Sequence, residues 1–334
     1  MAELAYLEAG RLALAEALRA DPAVWALGED LGRGGVFGQY KGLAEEFGPE
    51  RIVDTPISEA CIMGAAVGAA MMGTRPVVEM RFSDFALCAV DELVNQAAKA
   101  RFMFGGQTRV PLVVRQPIGM WRSSAAQHSQ SLESWYTHIP GLVVITPSTP
   151  ADNYSLLAAA IRCDDPVVYM EHKNLWSLTD AVCVDEKSAG DPRAEIGKAR
   201  VVREGDDVTV VTWSAMVHET IKATEQVKAG GPATPAVEVI DLRTLWPWDV
   251  ETVLASVRKT GRLLVVHEAV QVGGFGAEIA ATVADLAFAD LKAPVKRLGA
   301  PRILIGYAPP LENEVKITAE RDIAPAIRAL AEQG

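Results

Sequence analysis

Residues 54–80, "DTPISEACIMGAAVGAAMMGTRPVVEM", change from a helical pattern to a strand pattern across one short turn. Small residues recur at helical spacing between about 60 and 72, where they would let another backbone or a cofactor approach closely. The run "RPVVEM" at 75–80 is short and β-branched, which is typical of a buried strand. A helix followed directly by such a strand is the repeating unit of a parallel sheet covered by helices.

The same alternation extends through the first half of the chain. Further strands are predicted at "VPLVVRQ" (110–116), "LVVIT" (142–146) and "PVVYME" (166–171). Helices are predicted at about 86–101 and 151–162, and Thr149 or Asp152 could cap the second of them.

A second series of strands and helices follows a stretch of low apolar density at 186–206, which we interpret as a linker. Its strands are "DVTVVTW" (207–213), "AVEVID" (236–241), "RLLVVHE" (262–268) and a short one near 295–298. Its helices lie at about 216–229, 249–259, 275–289 and 318–332. The pattern predicts an α/β protein with two doubly wound domains, 1–185 and 207–334. In such sheets ligands bind beyond the carboxyl ends of the strands.

Composition excludes several classes of partner. The 334 residues include 32 Lys and Arg against 43 Asp and Glu, a net charge of −11, which argues against nucleic-acid binding through phosphates. The N-terminal residues do not resemble a signal peptide, and the longest apolar run is too short for a membrane span. The four cysteines show no CxxC spacing, so neither a zinc site nor a disulfide framework is indicated. A cytoplasmic protein, or one of an organelle matrix, is expected.

Glu59 is the first candidate functional residue. It directly precedes the small-residue helix, where a carboxylate suits the helix dipole, so a simple capping role is one interpretation. Its apolar and small neighbours instead predict a buried carboxylate, which needs a partner or a raised pKa.

His128 is the second candidate, within "AAQHSQSLES" at 125–134. A polar loop histidine is either a proton-transfer group or a side chain satisfied by its neighbours, and its surroundings leave both interpretations open. The other histidines, His138, His172, His218 and His267, show no metal-ligand spacing and are interpreted as structural.

Two other motifs receive structural interpretations. Phe82 and Phe85 precede an amphipathic helix, where aromatic rings usually belong to the core. "VGGFGAEIAA" at 272–281 fits no register of the dinucleotide fingerprint GxGxxG, so it is interpreted as the start of a packed helix.

Taken together, the motifs resemble the β subunit of the two-chain 2-oxoacid dehydrogenase E1 component, which depends on thiamine diphosphate. The resemblance rests on "ALGEDLG", "KGLAEEFGPERIVDTPISE", "DELVNQAAKAR", "AAQHSQSLESWYTHIPGLVVITPSTPAD", "AIRCDDPVVYMEHK", "VIDLRTLWPWD" and "VGGFGAEIA". They occur in order over nearly the whole chain. The resemblance implies a thiamine pyrimidine-binding domain followed by a transketolase C-terminal-type domain.

The resemblance also implies roles for individual residues. Glu59 would hydrogen-bond N1′ of the aminopyrimidine and so promote removal of the thiazolium C2 proton. Phe85 would lie against the aminopyrimidine, Ile57 would contact it through the backbone, and Arg81 falls at a cofactor-binding position. His128 would face the thiazolium and the substrate as a proton donor or electrostatic stabiliser.

Metal ions are implied in two places. Many relatives bind potassium through main-chain carbonyls at positions that here are Leu112, Ala160, Ile161, Cys163 and Asp165. Thiamine enzymes also hold the diphosphate and Mg²⁺ through a GDG motif followed by Asn, and the sequence contains no GDG.

The residues that hold the diphosphate and Mg²⁺ are therefore expected on an α subunit. The implied assembly is an α2β2 heterotetramer that serves a dihydrolipoyl acyltransferase (E2). The implied reaction is decarboxylation of a short, pyruvate-like 2-oxo acid and reductive acylation of the E2 lipoyl group. Acetoin or branched-chain 2-oxoacid dehydrogenases and a specialised two-component enzyme are alternatives. The segment "MWRSS", with Trp121 and Arg122, is expected to influence substrate choice.

Two other classes remain as competitors. A stand-alone transketolase or deoxyxylulose phosphate synthase would need the GDG half within the same chain. A non-catalytic subunit, such as an electron-transfer flavoprotein chain or a scaffold, would need neither Glu59 nor His128.

Overall fold

The chain divides into two units in a computed structural model that describes residues 1–184, 196–231 and 234–333. The first unit contains Met1–Ile118 and Trp135–Ile196, and the second contains Gly119–Ser134 and Gly197–Gly334. The segment 119–134 was predicted as part of the first domain, yet its contacts assign it to the second unit. Residues 186–195 of the predicted linker lie outside the described residues, and the rest of that linker includes the strand Arg200–Arg203.

The first unit is built on a parallel sheet. Its strands are β1 (Ala2–Ala5), β2 (Val24–Gly28), β3 (Ile52–Asp54), β4 (Arg75–Glu79), β5 (Val113–Ile118), β6 (Val143–Ile145), β7 (Val167–His172) and β8 (Thr179–Val182). Six of them pair in parallel in the order β6-β7-β5-β4-β2-β3, while β1 and β8 form a separate antiparallel pair. Because β2 lies beside both β3 and β4, the loops that follow these three strands begin at one edge of the sheet.

Helices cover the sheet of the first unit. They are α1 (Tyr6–Ala20), α2 (Leu43–Phe47), α3 (Glu59–Met71), α4 (Ser83–Ala86), α5 (Ala98–Met103), α6 (Glu133–Thr137, at the boundary with the second unit) and α7 (Pro150–Arg162). The Thr149 hydroxyl caps α7 by accepting the Asp152 N–H at 3.1 Å, as the sequence predicts. The predicted helix 86–101 is helical throughout, and it contains a 3₁₀ turn (Leu87–Ala89) and a π-helical turn (Glu92–Ala97) before α5.

The second unit has its own sheet. The strands of this unit are β9 (Arg200–Arg203), β10 (Val208–Thr212), β11 (Val237–Asp241), β12 (Thr244–Trp246), β13 (Leu263–Val270) and β14 (Lys296–Ala300). Five of them form the sheet in the order β14-β13-β10-β11-β9, without β12, and β9 alone runs antiparallel to its neighbour. The helices are α8 (Met216–Lys228), α9 (Val250–Thr260), α10 (Gly276–Leu286), α11 (Pro309–Val315) and α12 (Ala324–Ala331).

Residue choice explains why the central strands of the second unit are buried on both faces. All five residues of β10 are buried, as expected for a nearly continuous β-branched run in a parallel sheet. The Thr209 hydroxyl is satisfied inside this core, because its Oγ1 lies 2.6 Å from Ser256 Oγ and 2.7 Å from Thr260 Oγ1. These contacts join β10 to α9. The predicted α/β class is confirmed, and within the described ranges no helix is long and apolar enough to cross a membrane.

Candidate active site

Glu59 is the first residue of α3, which starts at the carboxyl edge of the first sheet. Its side chain is half-buried rather than buried, because α3 leaves its small-residue face, including Ala60, Gly64 and Gly68, exposed. Among the described residues, no hydrogen bond or ion pair engages the Glu59 carboxylate. The acid is thus held at a helix N-terminus with its oxygens available to a group from outside the chain.

A cluster of charged side chains lies close to Glu59. Glu29 and Asp30 follow β2, and Arg81 follows the neighbouring β4. Arg81 contacts Asp30 at 2.5 Å and Glu29 at 3.6 Å. Burial raises the pKa of Glu29, Arg81 opposes that shift, and the Glu59 and Asp30 carboxylates add to it. Arg81, predicted at a cofactor-binding position, is therefore engaged by two acids of its own chain.

Glu29 and Asp30 were not predicted as site residues. A usable signal was present, because "ALGEDLG" places two acids directly after a strand of a parallel sheet. Polar residues at that position gather at the ligand-binding edge.

Aromatic rings line the same edge of the first unit. The Phe82 and Phe85 rings lie 5.8 Å apart, and Phe37 lies 6.3 Å from Phe82 and 4.3 Å from Trp176. Phe85 is half-buried, whereas Ile57 is 78% exposed on the segment before Glu59. A half-buried aromatic ring such as that of Phe85 is a surface against which a flat ring could stack.

A buried ion pair supports this edge from within the sheet. Arg115 on β5 makes two hydrogen bonds to Glu171 on β7, at 2.8 and 2.9 Å. Glu79, at the end of β4, lies 3.7 Å from Arg115 and accepts the Tyr40 hydroxyl at 3.0 Å. Burial raises the pKa of Glu79 to about 7, with Arg115 opposing the shift. Arg115 thus faces the carboxyls of both Glu171 and Glu79, and burial favours the neutral form of Glu79.

The five residues predicted to hold potassium lie around the C-terminus of α7. The Arg75 guanidinium donates to the carbonyls of Ile161 at 3.1 Å and Cys163 at 3.0 Å. The Leu112 carbonyl accepts the Val167 N–H at 2.8 Å within the sheet. Asp165 pairs with Arg101 at 2.6 Å, and Ala160 accepts a helix-terminal N–H. Four of these carbonyls, those of Leu112, Ala160, Ile161 and Cys163, each accept a donor from this chain, and each carbonyl oxygen keeps a second lone pair, so potassium at this set stays a prediction.

His128 belongs to the second unit, on the segment 119–134. The histidine is half-buried, and its backbone N–H approaches the Ala125 carbonyl at 3.5 Å. Both ends of the segment are held by the second unit. The Met120 N–H donates to Glu268 Oε1 at 2.8 Å, and Trp213 Nε1 donates to Glu133 Oε1 at 3.1 Å. His128 was predicted from the sequence, but Glu268 and Trp213 were not, since only the tertiary fold brings β10 and β13 to the segment.

Trp121 and Arg122 contact each other. The Arg122 guanidinium lies 4.8 Å from the Trp121 ring centroid, in a cation–π arrangement. Arg122 adopts a left-handed backbone conformation with φ of 49°. The two side chains thus form one unit just before His128.

His172, His267 and the glycine-rich motif lie in hydrogen-bonded or closely packed surroundings. His172 Nδ1 accepts the Asn174 N–H at 3.1 Å, and His267 is buried within the second unit. A side chain at Gly276, the first residue of α10, would meet the His267 ring at 2.8 Å. "VGGFGAEIAA" is therefore the close-packed start of a helix. Within the described ranges no three His, Cys, Asp or Glu side chains are grouped to hold a metal ion.

The two α/β units form a two-domain chain of transketolase type. Residues 2–177 match the family "Transketolase, pyrimidine binding domain", and residues 197–321 match "Transketolase, C-terminal domain". Two solved structures share the fold. A "Split gene transketolase, inactive beta4 tetramer" has a TM-score of 0.78 and 22% identity, covering 99% of each chain. A transketolase from Leishmania mexicana has a TM-score of 0.72 and 18% identity, covering 99% of this chain and 46% of that one.

Curated relatives identify a more specific family within the transketolase type. The 2-oxoisovalerate dehydrogenase subunit beta of Bacillus subtilis is 41% identical, covering 99% of this chain and 100% of its own. The acetoin:2,6-dichlorophenolindophenol oxidoreductase subunit beta of Cupriavidus necator is 42% identical over 96% of both chains. The pyruvate dehydrogenase E1 component subunit beta of Staphylococcus epidermidis is 40% identical, covering 99% and 100%. The chain belongs to the family of 2-oxoacid dehydrogenase E1 β subunits, which are oxidoreductase subunits of thiamine diphosphate-dependent enzymes.

Proposed function

We propose that this chain supplies one half of a thiamine diphosphate site in an E1 enzyme that decarboxylates a short, pyruvate-like 2-oxo acid. The observation that carries the proposal is Glu59, an acid fixed at the start of α3 that finds no partner among the described residues of its own chain. An acceptor held in this way suits a donor that arrives with a bound group.

The described residues around Glu59 fit an aminopyrimidine. The Glu59 carboxylate would hold a proton at the ring nitrogen N1′, the Phe85 ring would stack on its face, and the Ile57 backbone would contact its edge. The bound cofactor would supply a carbanion that attacks the 2-oxo carbon and later holds the electron pair left by CO₂. Arg81 would act indirectly, by fixing Asp30 and Glu29 beside the site.

His128 is proposed as the group that stabilises charge on the substrate or donates a proton to it during decarboxylation and acyl transfer to a lipoyl group. Its position on a segment with both ends hydrogen-bonded supports this role, since proton transfer requires a fixed donor–acceptor distance.

The family implies a diphosphate group and two metal ions. The diphosphate and Mg²⁺ are assigned to an α subunit, because the sequence lacks GDG. Potassium at Leu112, Ala160, Ile161, Cys163 and Asp165 stays a prediction without support from the carbonyl contacts, and no step depends on it.

The substrate stays a prediction between three classes. Relatives named for pyruvate, 2-oxoisovalerate and acetoin are 40–42% identical to this chain, so identity does not separate them. We likewise propose an α2β2 assembly, an E2 partner and a cytoplasmic location. A specialised two-component enzyme outside a full complex remains the alternative.

The proposal is tested by expressing this chain with its cognate α chain and assaying 2-oxoacid-dependent dye reduction. Glu59→Gln keeps the size of the side chain but removes the acceptor charge, and we expect turnover to fall by about 10²-fold or more. Glu45→Gln, an exposed acid in the first turn of α2, is the matched control. Normal turnover in the Glu59→Gln enzyme would exclude the thiamine role of this residue.

The same assay separates the substrates. We expect the reconstituted pair to prefer pyruvate over branched 2-oxo acids and over acetoin. If a branched 2-oxo acid or acetoin gave the highest kcat/KM, the corresponding alternative would replace the pyruvate proposal.

A further inference from the structure

The segment 119–134 leaves the first unit after β5 and is joined to the second unit by specific contacts. The segment has an incoming arm, which starts at Gly119, and an outgoing arm, which includes Gln130. The Gly119 N–H donates to the Gln130 carbonyl at 3.4 Å and joins the two arms. His128 therefore lies within a closed loop, whose position depends on what holds the base of that loop.

One carboxylate oxygen holds both arms. Glu268 Oε1 accepts the Met120 N–H at 2.8 Å on the incoming arm and the Ser131 hydroxyl at 3.3 Å on the outgoing arm. Hydrogen bonds to an ionised acceptor are stronger than those between neutral groups. A single oxygen thus fixes the separation of the two arms.

Glu268 lies near the end of β13, after the residues that pair with β10 and between Val266 and Val270, which both pair with β14. Its neighbour His267 is fully buried and stacks on Trp213, with ring centroids 5.3 Å apart. Trp213 in turn donates to Glu133 at the end of the segment. The loop is therefore fastened to a central strand of the sheet.

The interior of the loop needs such fastening. Arg122, Ser123 and Ala125 all have positive φ, at 49°, 56° and 63°. Non-glycine residues adopt this conformation at a cost, and they keep it only where the surrounding contacts impose it. The Ser124 N–H and hydroxyl both donate to the Trp121 carbonyl, at 3.2 and 2.5 Å, which closes the turn locally. The contacts at Glu268 add a constraint at the base of the loop.

We propose that Glu268 is a positioning residue that sets the placement of His128 by holding Met120 and Ser131 on one carboxylate oxygen. The inference rests on the proposed function of His128 in turnover. The hydrogen-bonded arrangement itself is a property of this chain and is measurable without activity.

The experiment compares Glu268→Ala and Glu268→Gln in the assembled α/β enzyme. We expect Glu268→Ala to lower kcat by about tenfold or more, with a smaller change in KM. The Glu268→Gln enzyme should recover most of the loss, because an amide oxygen still accepts from Met120 and Ser131. Glu278→Ala, an exposed acid on α10, is the control and should leave kcat unchanged.

A double-mutant cycle with His128→Ala separates positioning from general damage. If Glu268 acts through His128, then Glu268→Ala should cost little further turnover in a His128→Ala background. An equal loss in both backgrounds would overturn the proposal. So would equal loss in the Glu268→Gln and Glu268→Ala enzymes.

Hydrogen exchange supplies a readout that does not need activity. The Met120 amide should exchange faster in Glu268→Ala than in wild type or Glu268→Gln. If this exchange changes while His128→Ala leaves turnover intact, the arrangement stands and the catalytic role of His128 fails. Unchanged exchange at Met120 would overturn the arrangement itself.

Discussion

The imidazole of His267 lies almost parallel to the indole of Trp213, with 13° between the ring planes and 5.3 Å between the centroids. Its Nδ1 lies 3.0 Å from the Ala269 carbonyl, so a neutral ring that donates from Nδ1 fits the site. Burial lowers the pKa of His267 to about 4, although the Ala269 carbonyl opposes that shift.

This stacked histidine should make stability depend on pH. Between pH 6.5 and 4 the unfolded chain binds a proton that the folded chain does not, so stability should fall as pH decreases through that window. The loss should reach up to about 3 kcal/mol. Denaturant unfolding across this range should show the loss in wild type and not in His267→Gln. The exposed His138→Gln variant should behave as wild type.

Glu79 should produce the opposite dependence. Its pKa is raised to about 7, so between pH 4.5 and 7 the folded chain holds a proton that the unfolded chain releases. Stability from this group should therefore fall as pH rises through that window, by up to about 3 kcal/mol. Glu79→Gln, which imitates the neutral form, should remove this dependence, whereas Glu50→Gln on the surface should not. A wild-type profile in the Glu79→Gln variant would show that the carboxyl is ionised in the fold.

Arg115 should be far less tolerant of substitution than an exposed arginine with the same pairing. Arg115 and Glu171 are buried, and Arg115→Met would leave Glu171 and Glu79 without their cation, at a cost of about 3–5 kcal/mol. Arg19 makes the same two-bond contact with Glu46 on the surface, at 2.6 and 2.9 Å. Arg19→Met should change the unfolding midpoint little. Equal effects of the two substitutions would contradict a role for burial.

Two glycines provide a test of close approach within the first unit. Gly141 and Gly73 have almost the same φ, 98° and 97°, but a Cβ at Gly141 would lie 2.0 Å from the Ala98 carbonyl oxygen. At Gly73 nothing lies within 4 Å. Gly73→Ala should cost about 1–2 kcal/mol from backbone strain alone, and Gly141→Ala should cost about 1–3 kcal/mol more. The unfolding midpoints of the two variants measure the difference.

Strong local patterns allowed much of the fold to be predicted. β10, β11 and β13 are β-branched runs, and α7 has a capping threonine and a proline in its first turn, so local chemistry specifies them. The strand β9 falls in the predicted linker because its "RVVR" is short, charged and half-exposed. The 3₁₀ and π-helical turns between Leu87 and Ala97 were not predicted, because that stretch contains no proline or glycine.

The candidate site was predictable only in part, because some of its contacts exist only in the folded chain. Glu59 and His128 stand out because each follows a local pattern or matches a motif. Glu268 and Trp213 lie in ordinary strand sequences, and their relation to His128 exists only after the sheet has formed. Sequence spacing carries no information on such contacts, since Met120 and Glu268 are separated by 148 positions.

The assignment of residues 119–134 to the second unit also governs how the chain can be cut and how it can fold. A protein shortened to end before Gly197 would keep His128 but lose the sheet that holds it. The complementary fragment would keep Glu268 and have no loop to bind. During synthesis this segment leaves the ribosome before β10 and β13 exist, so completion of its anchoring must wait for the C-terminal half. The two units are therefore interdependent in assembly, although each has its own sheet.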